Sequence, residues 1–306
     1  MGAGEAVDGQ EGVTKLARTQ LGWRMVGRES DLPVVVFENG WSASYQQWTL
    51  LEPLLAPHTR MLCYDRAGIG ASAPGRSEDG ASLSQDLSDL LTALNLHAPV
   101  VVVGQSYGGL IAGLHAAQIP SRVCGAILLD PTPELDDELI DKQLGFFNKV
   151  GRASVVLAQL RVRNPLFAPV WEHFPERQAR LMESRSYHSP DSLRAALHEM
   201  EILPSIRRAI AAGLKDGRNA PRLVISAGAT SDAKGWLMRR LLPERRLRQV
   251  LERMQSLHRA QAARGNRGSW EVAAAHTHGG LVSTPAGAAF SAGRILAFLQ
   301  SIRSKT

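Results

Sequence analysis

Cysteine is scarce in this chain: two in 306 residues, Cys63 and Cys124. Two thiols cannot supply the disulfide framework of a small secreted domain, nor by themselves a metal site. Both lie in apolar, strand-like segments (MLCYD and RVCGAILLD), where a thiol behaves as a small hydrophobe. They suit a reducing compartment, and a cytoplasmic location is the expectation. No stretch reaches the roughly 18 uninterrupted apolar residues that a membrane span needs. The opening segment, MGAGEAVDGQEG, lacks the basic patch and apolar run of a secretory signal. It begins Met-Gly, but Ala6 stands where a myristoylation signal needs Ser or Thr. Residues 1–20 therefore read as a disordered leader. Nucleic-acid motifs are lacking too. Much of the net charge of +6 gathers between Arg239 and Arg267. No aromatic residues interleave these arginines, so the segment reads as a solvated surface helix with no nucleic-acid partner.

What is present is 44% apolar and 21% charged, a globular composition with ample core. The β-branched run 100–103 leads into Gly104-Gln105-Ser106-Tyr107-Gly108-Gly109, and an apolar helix start follows at 110–117. Strand, Gly-x-Ser-x-Gly, helix is the order of a nucleophile elbow, a strained turn that leaves the serine hydroxyl exposed above a sheet. Ser106 is the candidate nucleophile. A serine hydroxyl is weak at neutral pH; it needs a histidine to take its proton and an acid to orient that histidine.

Short apolar strands alternate with helical segments along the chain. Residues 13–29 read as early strands turning at Leu21-Gly22, and 34–37 as a strand buried on both faces. A polar loop, Glu38 to Ser42, comes next, then a helix over 45–56 stopped by Pro57. The strand 60–64 runs into a loop at 65–72. Leucines 83, 87, 90, 91 and 94 then space an amphipathic helix over 82–96. Strands follow at 100–103 and 125–129. The alternation predicts an α/β fold, a mostly parallel doubly wound sheet whose ligands bind at the carboxyl ends of the strands. Loops 38–42 and 65–72, Ser106 and Asp130 should converge on one crevice. The rhythm breaks after Asp130. Residues 131–220 are helical in pattern, and strands resume at 222–226 and 270–275. The expected organisation is a core of 21–130 and 221–306 with an inserted helical cap, 131–220. Cap aromatics such as Phe146, Phe147, Phe167 and Tyr187 suit an apolar wall.

The base should lie in a loop near the C-terminus, where His276 and His278 are both candidates. Zinc binding by this pair fails on ligand count. Histidines 58, 97, 115, 173, 188, 198 and 258 read as solvated or capping residues. Two acids qualify: Asp130, which ends a strand in ILLDPTPE, and Asp232, which follows one in VISAGATSD.

The segments VVVFENGWSASYQQW, TRMLCYDRAGIGAS, VVVVGQSYGGLIAGLHAAQIPSRVCGAILLDPTPE and PRLVISAG together resemble a bacterial subfamily of serine hydrolases in the α/β-hydrolase superfamily. The shared features are an E-x-G loop, YDRAG, the elbow, and a strand ending in an aspartate-led turn with a glutamate four residues on, here Asp130 and Glu134. The resemblance is close over 33–130 and looser over 221–300; the cap is unmatched. It implies that His278, seven residues before Pro285, is the base, since His276 lacks that spacing. It favours Asp130 as the acid over Asp232. It makes the backbone amides of Trp41 and Tyr107 the oxyanion hole, with the Trp41 side chain narrowing the pocket. Gln105 stands where His is usual and is expected to point away from the site. Glu38 either braces the oxyanion loop by accepting amide bonds or is solvated, while Asp65 and Arg66 tie the neighbouring loop together. The implied activity is cofactor-independent and metal-free hydrolysis of a small, apolar carboxylic ester or related acyl compound. Carbon–carbon hydrolysis, lyase chemistry or perhydrolysis on the same residues is an alternative, as is a non-catalytic ligand-binding protein.

Overall fold

Apolar runs of four to seven residues, rich in Val, Ile and Leu, are too short to be helices and build the centre of the molecule as a sheet. The computed structural model describes residues 7–164, 167, 170–217, 220–230, 244–264 and 267–303. It contains one sheet in the order β1-β2-β4-β3-β5-β6-β7-β8. The strands are β1 (Gly9–Lys15), β2 (Gln20–Val26), β3 (Val35–Glu38), β4 (Met61–Tyr64), β5 (Val100–Gln105), β6 (Val123–Leu129), β7 (Arg222–Ala227) and β8 (Gly268–Ala273). β2 pairs antiparallel with β1 and β4; every other pairing is parallel. Parallel registers such as Phe37↔Val103 and Gln105↔Leu129 bring the carboxyl ends of β3, β5 and β6 level with one another.

The central strands are apolar on both faces. Val35, Phe37, Val101, Val103, Ile127 and Leu129 pack with Trp48, Leu281, Ile295 and Leu299 on one side. Val36, Val102, Ala126 and Leu128 pack with Leu87, Leu90 and Leu91 on the other. Each buried Val, Leu, Ile or Phe among them contributes about 1.5–3 kcal/mol by leaving water. The helices on these faces include α1 (Glu52–Leu55), α2 (Gly80–Ala93), α3 (Tyr107–Gln118), α8 (Glu244–Ala263), α9 (Gly280–Ser283) and α10 (Pro285–Arg303). Between β6 and β7 lie α4 (Glu138–Gln159), α5 (Glu176–Met182), α6 (Pro190–Glu201) and α7 (Leu203–Lys215). No helix among the described residues is long and apolar enough to cross a membrane.

Four local expectations need correction. Residues 9–15, assigned to a disordered leader, form β1. Its side chains are mostly polar and exposed, so backbone pairing from Gly9↔Val26 to Lys15↔Gln20 holds it without an apolar pattern. The first turn lies at 16–19, closed by the Leu16 amide on the Thr19 carbonyl at 2.8 Å, and Leu21 and Gly22 are inside β2. Residues 45–56 are two short pieces, a 3₁₀ turn at Tyr45–Trp48 and α1. Asp65 takes the Tyr45 amide at 2.6 Å and pins that turn. The arginine-rich segment is less solvated than expected. Arg253 pairs with Asp137 at 2.7 Å, Arg264 reaches buried Glu134 at 3.3 Å, and Arg259 lies over Trp270. Arg239 and Arg240 lie outside the described residues. Cys63 is buried and Cys124 half-buried, both as free thiols.

Candidate active site

β5 delivers Ser106 at its carboxyl end with φ 58° and ψ −122°, a strained left-handed conformation for a residue with a side chain. The turn closes because positions 104 and 108 are both glycine, a Cβ at 104 striking the Gly108 carbonyl. A Cβ at 108 would strike the carbonyls of Glu38 and Asn39, so the elbow is pressed against the 38–42 loop. α3 starts at Tyr107, directly after the serine.

Asp130 directly follows β6 and His278 sits in the loop between β8 and α9. His278 Nδ1 lies 2.6 Å from Asp130 Oδ2, and Asp130 Oδ1 accepts the Ala227 amide at 2.8 Å. Burial drives the Asp130 carboxyl upward, but the hydrogen bond and charge of His278 outweigh it and hold the group below its ordinary value. An ionised carboxylate only accepts, so Nδ1 carries the imidazole proton and Nε2 offers a lone pair. His276 is part of the loop's scaffold: its carbonyl takes the Gly228 and Ala229 amides at 3.1 Å, and its ring packs on Phe290. Asp232 lies outside the described residues.

Gln105 does not point away. Its Nε2 lies 3.2 Å from His278 Nε2 and donates to the His278 carbonyl at 3.1 Å. Strand parity is the reason, because Val101, Val103 and Gln105 alternate onto the face where α9 and α10 pack. Ser106 Oγ makes no hydrogen bond among the described residues.

The amides of Trp41 and Tyr107 also meet no acceptor among the described residues. Their loop is held from behind. Arg66 Nη1 donates to the Asn39 carbonyl at 2.7 Å and Nη2 to the Gly40 carbonyl at 3.3 Å, while Trp48 Nε1 donates to Asn39 Oδ1 at 2.8 Å. The Trp41 side chain is engaged by the inserted helices, with Nε1 donating to the Ala196 carbonyl of α6 at 2.8 Å.

Glu38 is neither a brace for backbone amides nor solvated. It is buried, receives the Tyr64 hydroxyl and lies 2.9 Å from His115 Nε2 and 3.4 Å from Arg66 Nη1. Burial raises its pKa, but His115 and Arg66 outweigh that and lower it. Asp65 is the brace: it accepts the amides of Tyr45 at 2.6 Å and Ala71 at 2.7 Å. Burial pushes its carboxyl up to about 7 against those bonds.

Two histidines read as solvated or capping are fully buried. His115 supports Glu38. His258 donates from Nε2 to the Pro131 carbonyl at 2.7 Å, accepts from Ser226 at Nδ1 (2.9 Å), and stands 3.6 Å from Asp130 Oδ1. Burial lowers its pKa. His115 had a usable signal, a lone imidazole inside the apolar run LIAGLHAA, which requires an internal partner. His258 had none, standing in a helix rich in arginine.

A family model described as alpha/beta hydrolase fold matches residues 33–191, just over half of the chain. An uncharacterized protein of Bacillus subtilis (strain 168), YqjL, is 36% identical over 98 residues, 32% of this chain and 39% of its own length. An AB hydrolase superfamily protein of Gibberella zeae is 28% identical over 185 residues, 58% of this chain and 56% of its own. The chain thus spans about two fifths to just over half the length of these curated relatives. The crystal structure of the enol-lactonase from Burkholderia xenovorans LB400 superimposes with TM-score 0.67 at 20% identity, covering 94% of this chain and all of that one, a likeness of fold.

Proposed function

Because the chain belongs to the alpha/beta hydrolase fold family, we propose that it is a serine hydrolase that cleaves a carboxylic ester or related acyl compound through Ser106, His278 and Asp130. The observation that carries this is the 2.6 Å contact of His278 Nδ1 with Asp130, formed beside an elbow serine in a strained conformation. The contact fixes the tautomer that a general base requires.

Ser106 Oγ attacks the acyl carbon as its proton passes to His278 Nε2, and Asp130 stabilises the imidazolium. The carbonyl electrons move onto oxygen, and the amides of Trp41 and Tyr107 receive the negative charge. Such donors are worth about 3–4 kcal/mol each when aligned with the developing oxyanion. The tetrahedral species collapses, and Nε2–H gives its proton to the leaving group. Water then repeats the sequence against the acyl-enzyme, releasing acid and restoring the serine. The helices between β6 and β7 act as the cap over this site, with Trp41 as the contact between cap and oxyanion loop.

The test is covalent labelling with a fluorophosphonate probe together with p-nitrophenyl butyrate turnover. Wild-type protein should label and turn over, and Ser106→Ala and His278→Ala should do neither. Folded wild-type protein that does neither would establish a binding protein on this scaffold instead.

A further inference from the structure

His278 Nε2 has one lone pair, and the proposed reaction requires Ser106 to donate to it. In this structure Gln105 donates to it. The assignment follows from two fixed ends. The Gly40 amide is a donor and lies 2.8 Å from Gln47 Oε1, so that atom is oxygen. Gln47 Nε2 then donates to Gln105 Oε1 at 3.1 Å, which makes the other Gln105 terminus an NH₂ group. That group meets the His278 carbonyl, an acceptor only, and the free lone pair of Nε2. Read from either end, the relay Gly40→Gln47→Gln105→His278 has one consistent direction. Its two glutamines are buried, Gln47 at 3% and Gln105 at 5% exposed. Glycine at position 40 leaves room for the relay, since a Cβ there would come to 2.9 Å from Gln105 Oε1.

We propose that Gln105 is a positioning residue that occupies the lone pair of His278 in the free protein and yields it to Ser106 only when an acyl group enters the site. The relay begins on the amide of Gly40, next to the Trp41 amide that meets the developing oxyanion. Filling that hole disturbs the same loop that anchors Gln47, so release of the base is tied to arrival of substrate. The inference rests on the serine-hydrolase reading.

The experiment compares wild type, Gln105→Met and Gln47→Met. Methionine keeps length and flexibility and removes the donor. The second-order rate of fluorophosphonate labelling should rise in Gln105→Met by about three- to tenfold, the scale of one net hydrogen bond. With p-nitrophenyl butyrate the gain should appear as a lower KM with kcat nearly unchanged, since the contact is broken on binding. The ¹⁵N resonance of His278 Nε2 should move downfield as it loses its donor, a readout that needs no turnover. Gln47→Met, which leaves the Gln105 amide unanchored, should move every readout the same way by less, and it decides the matter if Gln105→Met fails to fold. Labelling that is unchanged or slower in a folded variant, with lower kcat, would overturn the proposal and make Gln105 a scaffold for the imidazole. A wild type that does not label at all would sink the hydrolase reading instead.

Discussion

Asp130 carries two consequences that one substitution separates. As the proposed orienting acid it fixes the proton on His278 Nδ1, and an asparagine can present its NH₂ there and reverse the tautomer. Asp130→Asn should therefore lower kcat by roughly three to four orders of magnitude, the scale seen when a triad loses its acid, while Asp232→Asn stays close to wild type. The second consequence is acid stability. The folded carboxyl titrates below its ordinary value, so its contribution is complete above the unfolded pKa of about 3.9 and is lost as pH falls through the depressed folded value. Urea unfolding at a series of pH values should show the wild-type advantage over Asp130→Asn narrowing below about pH 4. A gap that stays constant there would refute the linkage. At this scale the strained turn at Ser106 and the His278–Asp130 contact were legible, because motif spacing and chain order restrict where those residue types stand. The neighbours were less legible: Gln105 was assigned the wrong direction although the parity of Val101 and Val103 was in plain view, and His258 joins Asp130 only through the folded contact of α8 with β7.

Between elements, a buried polar link joins the inserted helices to the 38–42 loop. Arg66, 2% exposed, pairs through Nε and Nη2 with both oxygens of Glu199 on α6 at 2.5 and 3.0 Å. Its Nη1 and Nη2 hold the Asn39 and Gly40 carbonyls. One guanidinium thus fastens α6 and the loop at once. Glu199→Ala leaves a buried cation short of its partner, and breaking such pairs costs about 3–5 kcal/mol. Glu38 remains 3.4 Å from Arg66, so the low end, near 3 kcal/mol, is expected from chemical denaturation. Glu199→Gln keeps a hydrogen-bond acceptor and should lose less. Both variants should also slow fluorophosphonate labelling, because the loop bearing the Trp41 amide loses part of its anchor. The helices themselves were visible as 3.6-residue periodicity, but the link was not. Glu199 and Arg66 are 133 positions apart, and either one in isolation looks like a solvated charge.

The sheet as a whole sets how far local damage reaches. Legibility followed burial: the doubly buried strands β3 to β7 announced themselves by continuous apolar runs, whereas β1 is an edge whose backbone pairs while its side chains stay wet. That placement predicts independence from the site. β1 lies four strand positions from β5, and at about 4.8 Å per strand this is roughly 19 Å. Among the described residues its hydrogen bonds and ion pair run to its neighbour: the ladder with β2, Thr14 accepting from Trp23 Nε1 at 2.8 Å, and Glu11 paired with Arg24 at 3.0 Å. Removing residues 1–16 should lower the melting temperature by a few degrees, since 1 kcal/mol corresponds to only about 2–4 °C in a domain of this class. The fluorophosphonate labelling rate should stay within about twofold, because none of the proposed site contacts passes through β1 and changes at distant, unconnected places act nearly independently. The truncated chain should also self-associate more readily, since β2 would become the open edge. Thermal melting, labelling kinetics and light scattering on the same sample test all three. A tenfold loss of labelling with the fold intact would mean that the edge strand reaches the site through the antiparallel β2–β4 pair, and the sheet would then act as a single mechanical unit.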